Sequence, residues 1–215
     1  MKHIFIVRHG KTEWNIDKRL QGSHADSPLL TDRRIDYQHL AKYLDQYQFS
    51  AVYSSPLNRA KETAEVVLSK MEYPVSSIQN DSRLTEISFG QWEGRRRSQL
   101  IRDYPALFDK LSNRIDDPAL ETLKIENFQE AGQRFANTVK QLIAIAPEDS
   151  NILIFSHGGI SQLGIQTLTN NQQIMGLKNL STSIIGQKGN RFYLDSYNQT
   201  GYLQVVDLDE GNVSI

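Results

Sequence analysis

The 215-residue chain contains no cysteine. Disulfides, thiolate metal sites and cysteine nucleophiles are therefore excluded, and with them any phosphate-ester cleavage that runs through a thiolate. An excess of either charge is also lacking, with 24 Lys and Arg against 25 Asp and Glu and a net charge of −1. Neither a nucleic acid nor an anionic membrane surface is expected as a partner. A small anionic ligand stays compatible, because a local cluster of arginines needs no global charge. Long apolar runs are missing too: Ile4-Phe5-Ile6-Val7 is far too short for a signal peptide or a membrane span. The expectation is a soluble, cytoplasmic protein. No internal repeat or low-complexity stretch is present, and the length suits a single domain over 1–215.

Apolar runs alternate with helical patterns. Residues 3–8 and 151–156 read as buried strands, and 50–54 as a shorter one. Thr31 suits the N-cap of a helix whose apolar face is Tyr37, Leu40, Ala41, Leu44 and Tyr47. Ser55-Pro56 reads as a second start, with serine at N-cap and proline at N1. The helix after it stacks Ala60, Thr63, Ala64, Val67 and Met71. Leu100 to Leu111 has a helical period broken at Pro105. Phe128 to Ala146 carries the cleanest helical repeat in the chain. Segments near 181–187, 190–196 and 202–208 read as late strands, two of them forming a hairpin around Lys188-Gly189 or Tyr197-Gly201. This alternation predicts an α/β fold, a three-layer α/β/α sandwich with a mostly parallel central sheet. Residues 86–127 are expected to form an insertion or lid over the sheet edge.

Four segments carry candidate chemistry. Arg8-His9-Gly10 and Ser156-His157-Gly158 each follow a strand, where ligands of open α/β sheets bind. Gly10 would let backbone approach a ligand, and the arginine can grip two phosphate oxygens at once. Gly158 can offer its backbone N–H to an anion at a helix start. Arg59, in Ser54-Ser55-Pro56-Leu57-Asn58-Arg59-Ala60, falls in the first turns of a helix, where an anion is favoured. Glu86 lies in Leu84-Thr85-Glu86-Ile87-Ser88-Phe89-Gly90-Gln91-Trp92-Glu93-Gly94, beside two large aromatics and two glycines. Each segment alone has an ordinary structural reading: a satisfied histidine, a solvated arginine, a surface glutamate.

Together, in this order and spacing, the four segments resemble the histidine phosphatase superfamily, also called phosphoglycerate mutase-like, over nearly the whole chain. The resemblance implies a three-layer α/β/α fold and a phosphohistidine intermediate, with no cofactor and no metal. It makes His9 the nucleophile and Glu86 the proton donor. Arg8, Arg59 and His157 would clamp the phosphoryl group. Asn15, Gln21 and Gly22 match positions lining the substrate pocket, and Gly158 joins the phosphate-binding set. Arg34 stands where the family usually has glycine, and Ile125-Glu126-Asn127 replaces its common Gly-Glu-Ser.

The expected activity is hydrolysis of a small phosphorylated metabolite, the only partner implied. Glu86-Ile87-Ser88-Phe89-Gly90 stands where phosphoglycerate mutases carry Glu-Arg-His-Tyr-Gly, and the long mutase insertion is absent. Mutase-type phosphoryl transfer and a catalytically inactive phospholigand-binding protein are the alternatives. A third reading, a phosphatase built on Asp207-Leu208-Asp209, fails because that motif belongs after an early strand.

Overall fold

The computed structural model describes residues 1–30, 34–72, 77–204 and 206. Six strands form one sheet: β1 (Lys2–Arg8), β2 (Phe49–Ser54), β3 (Ile78–Asn80), β4 (Asn151–Ser156), β5 (Thr182–Lys188) and β6 (Arg191–Gln199). Their order is β3-β2-β4-β1-β5-β6. The β3-β2, β2-β4 and β4-β1 pairs are parallel, while β1-β5 and β5-β6 are antiparallel. The β5-β6 hairpin turns at Gly189-Asn190, the first of the two predicted places.

Strand alternation divides the core. Ile4, Ile6, Ile152 and Ile154 face one side, where they pack with Phe135 and Val139 of α7 (Phe128–Ile145) and Ile165 of α8 (Gly158–Thr169). Phe5, Val7, Leu153 and Phe155 face the other, against Leu40 and Leu44 of α2 (Arg34–Leu44) and Ala64 and Val67 of α3 (Asn58–Leu68). A sheet buried on both faces needs such continuous apolar runs. The result is the predicted helix-sheet-helix layering.

The 86–127 stretch folds into α4 (Arg97–Asp103), α5 (Pro105–Ser112) and α6 (Pro118–Thr122). Pro105 opens α5 at its first position, where a missing N–H costs nothing. Trp92, Leu100, Phe108, Leu111 and Leu120 join the same core as Phe135.

Two readings are corrected. The helix after β2 starts at Asn58 with Leu57 as N-cap, so Ser55 and Pro56 lie outside it. Residues 202–204 form turn and bend, not strand. The Thr31 cap, the rest of the 202–208 segment except residue 206, and Asp207-Leu208-Asp209 lie outside the described residues. The fold also contains a strand the sequence reading missed, β3, whose three residues are too few to show a period.

Candidate active site

Strand register creates the site. Within the parallel β1-β4 pair, Arg8 lies opposite Ser156, so the next residues, His9 and His157, leave the sheet side by side. The His9 N–H donates to the Ser156 carbonyl at 3.0 Å. From β1 the chain crosses through α2 to β2, and from β4 through α8 to β5, on opposite sides in the strand order. That is a topological switch point, where open sheets bind ligands. The two rings stand 5.3 Å apart between centroids, tilted by 58°. Both histidines are buried.

The ring of His9 has a fixed orientation. Its Nδ1 donates to the Gly10 carbonyl at 2.7 Å, which leaves Nε2 with the lone pair. Burial holds its pKa well below the usual histidine value, and the charges of Arg59 and Arg8 push the same way. His157 is likewise held low, first by burial, then by Arg59, His9 and Arg8. Its Nε2 lies 2.7 Å from Ser55 Oγ. Among the described residues, no protein group reaches His157 Nδ1 or Arg59 Nε, both buried.

The buried arginines are anchored through backbone carbonyls and, for Arg59, the Asp26 carboxylate. Arg8 donates to the Leu177 carbonyl. Arg59 donates to the Gly22 carbonyl at 2.9 Å, the Ala25 carbonyl at 3.2 Å and Asp26 Oδ1 at 3.0 Å. Gln21 and Gly22 therefore buttress Arg59 from behind. The Gln21 amide is held by Thr12 Oγ1, Asp26 and Ser27. Asn15 closes a capping box with Thr12 on the short helix α1 (Glu13–Ile16), and its Oδ1 also accepts from Asn179 at 3.4 Å.

Glu86 is buried against the start of α8. Oε2 accepts from the Gly159 N–H at 3.0 Å, and Oε1 accepts from Ile160 at 2.7 Å and Ile87 at 2.9 Å. The helix start expected to hold an anion thus already holds a carboxylate, one residue beyond Gly158. A Cβ on Gly159 would fall 2.9 Å from Glu86 Oε1 and 3.1 Å from an Arg114 guanidinium nitrogen, so a side chain there would push the carboxylate or the guanidinium aside. Arg134 donates to the carbonyls of Arg83 and Thr85 and fixes the preceding loop.

The glycine at position 10 has a different cause from the one expected. A Cβ there would lie 1.9 Å from the Tyr37 hydroxyl, so packing already requires glycine, whatever ligand approaches. Its N–H donates to Thr63 Oγ1, which in turn donates to the Arg59 carbonyl. Sequence reasoning missed four groups: Ser55, Thr63, Arg114 and Asn179, whose side chain donates to the His9 carbonyl at 3.0 Å. Ser55 lay in a segment already singled out. Nothing local marks the other three.

A family model described as the histidine phosphatase superfamily (branch 1) matches residues 4–200. The chain belongs to this superfamily. Within it, the chain is 34% identical over 169 residues to the adenosylcobalamin/alpha-ribazole phosphatase of Escherichia coli (strain K12), covering 77% of this chain and 78% of that one. It also resembles a mycobacterial glucosyl-3-phosphoglycerate phosphatase, with TM-score 0.81 and 25% identity over 93% of this chain and 100% of the other. A phosphoglycerate mutase from Bacillus anthracis str. Sterne matches with TM-score 0.77 and 25% identity, over 93% and 94% of the two chains. The match extends over nearly the whole chain, well beyond the four segments. No helix among the described residues is long and apolar enough to cross a membrane.

Proposed function

We propose that the chain is a phosphomonoesterase that hydrolyses small phosphorylated metabolites through a phosphohistidine on His9. The observation that carries this reading is the histidine pair: two buried rings, kept neutral beside two arginines, with His9 Nε2 bearing the lone pair. A neutral nitrogen fixed by its partner's hydrogen bond is what nucleophilic attack on phosphorus needs.

In this reading His9 Nε2 bonds to phosphorus while the bond to the leaving oxygen breaks. Glu86 enters this step protonated and gives that oxygen its proton, becoming the carboxylate that serves as base in the next step. Water then attacks the phosphohistidine, Glu86 takes its proton, and the P–N bond breaks to restore neutral His9. Charge on the three phosphoryl oxygens is met by Arg8, by Arg59 through its available Nε, and by His157. With Ser55 donating to Nε2, His157 carries its own proton on Nδ1 and donates from there. Gly158 adds a backbone N–H. Asn15, Gln21 and Gly22 hold the loop that backs Arg59. These groups supply the charge stabilisation with no metal or cofactor, and the reading assigns the protein to the cytoplasm.

The likeness to the Bacillus anthracis mutase favours a second reading, transfer of the phosphoryl group between hydroxyls. One experiment separates them. The wild type should hydrolyse 4-nitrophenyl phosphate in EDTA, and His9→Ala should reduce this to background without unfolding. Conversion of 3-phosphoglycerate to its 2-isomer, without release of phosphate, would replace the phosphatase by the mutase.

A further inference from the structure

A cleft of about 730 Å³ lies between α7, α8 and the segments 112–116 and 172–176. Its volume falls within the range of about 300–1,000 Å³ usual for small-molecule sites. None of His9, Arg8, Arg59, Glu86 or His157 lines it. Two of its lining residues nevertheless adjoin them. Arg114 lines the cleft, and its guanidinium approaches Gly159 beside the Glu86 carboxylate. Gly176 lines it as well, and the next carbonyl, Leu177, accepts from Arg8. Gln162 follows Gly158 by one turn of α8.

The lining is unusual in composition. Eight of its seventeen residues are Asn or Gln, and only Arg114 and Asp116 are charged. Asp116 is already engaged, its two oxygens accepting from the Phe128 and Gln129 N–H groups at the start of α7. The far wall is built rather than loose. Gln162 and Gln166 both donate to the Ile174 carbonyl, and the Tyr197 hydroxyl donates to that of Met175. Those bonds use the amide N–H groups of Gln162 and Gln166 and leave their oxygens as acceptors. With Gln129, Asn170, Gln172 and Gln173 contributing N–H donors as well as oxygen acceptors, the lining offers the mixed pattern that matches hydroxyls and ring amides, whereas an anion needs donors alone. The Phe128 ring supplies a flat apolar surface in the same lining.

We infer that this cleft receives the leaving-group half of the substrate, and that this half is a neutral group rich in hydroxyls or ring amides, a sugar or nucleoside rather than a carboxylate. The inference rests on the phosphatase reading, and its test separates the two. Turnover of adenosine 5′-monophosphate, glucose 6-phosphate, 3-phosphoglycerate and 4-nitrophenyl phosphate would be measured for wild type, Gln162→Leu and Gln129→Leu. Gln129 is exposed and serves as the variant least able to disturb folding. The wild type should prefer one of the first two over 3-phosphoglycerate. Each variant should lower kcat/KM for that substrate about tenfold, the scale of one lost hydrogen bond, and leave 4-nitrophenyl phosphate within about twofold. Preference for 3-phosphoglycerate, equal losses on every substrate, or no loss would each overturn the cleft assignment while leaving a phosphatase. Absence of any turnover by the wild type would remove the phosphatase reading, and the cleft assignment with it.

Discussion

Replacing Glu86 by alanine should cost stability as well as activity, because this side chain also caps a helix. Its carboxylate accepts from the N–H groups of Ile87, Gly159 and Ile160, two of them at the start of α8. Truncation leaves three buried donors without their acceptor, each worth about 1 kcal/mol, so the loss should be about 3 kcal/mol. For a chain of this length that corresponds to a fall in Tm of about 6–12 °C. Loss of the carboxylate beside the half-buried Arg114 acts in the same direction. Glu86→Gln keeps one acceptor oxygen but turns an amide NH2 toward a backbone donor, so about 1 kcal/mol is expected. Urea unfolding followed by circular dichroism measures both, with the slope of the transition checked for constancy. A Glu86→Ala protein within about 0.5 kcal/mol of wild type would refute the capping geometry.

Three further outcomes follow from the same site. Both histidines have pKa values pushed down in the folded state, so the unfolded chain binds more protons below the ordinary histidine pKa of about 6.5. Their contribution is fully present above that pH and is lost as pH falls below it; the double variant His9→Asn/His157→Asn should flatten this part of the stability profile, and an unchanged profile would contradict the shifts. Ser55→Ala removes the contact to His157 Nε2 and should lower kcat about tenfold with Tm nearly unchanged; full activity would show that Ser55 does not orient the ring. Arg59→Ala should weaken inhibition by inorganic phosphate at least tenfold, and unaltered inhibition would place Arg59 outside the anion site.

The central strands and long helices were legible because burial on both faces writes itself into the sequence. Ile4-Phe5-Ile6-Val7 and Ile152-Leu153-Ile154-Phe155 are apolar at every position since one residue faces α7 and α8 and the next faces α2 and α3. Pro105 was legible from backbone chemistry alone, and the Lys188-Gly189 turn was one of two places that chemistry offered. The site residues could be nominated from motifs, but their connections could not. Gly10 is glycine because of Tyr37, and Ser55 serves His157 rather than a helix cap; each pairing joins residues far apart in sequence. The same holds for Glu86, whose partners lie more than seventy residues away on α8. Local periodicity carries no record of such contacts, because they depend on the order of strands in the sheet.

The most direct measurement is alkaline-quenched mass spectrometry of the Glu86→Gln protein mixed with 4-nitrophenyl phosphate. This substrate needs little help from an acid to leave, whereas the second step needs a base to activate water, so the intermediate should accumulate. A mass gain of one phosphoryl group on the peptide containing His9, absent in His9→Ala, is the predicted result. Turnover without any phosphorylated peptide, or phosphate on a peptide lacking His9, would contradict the mechanism.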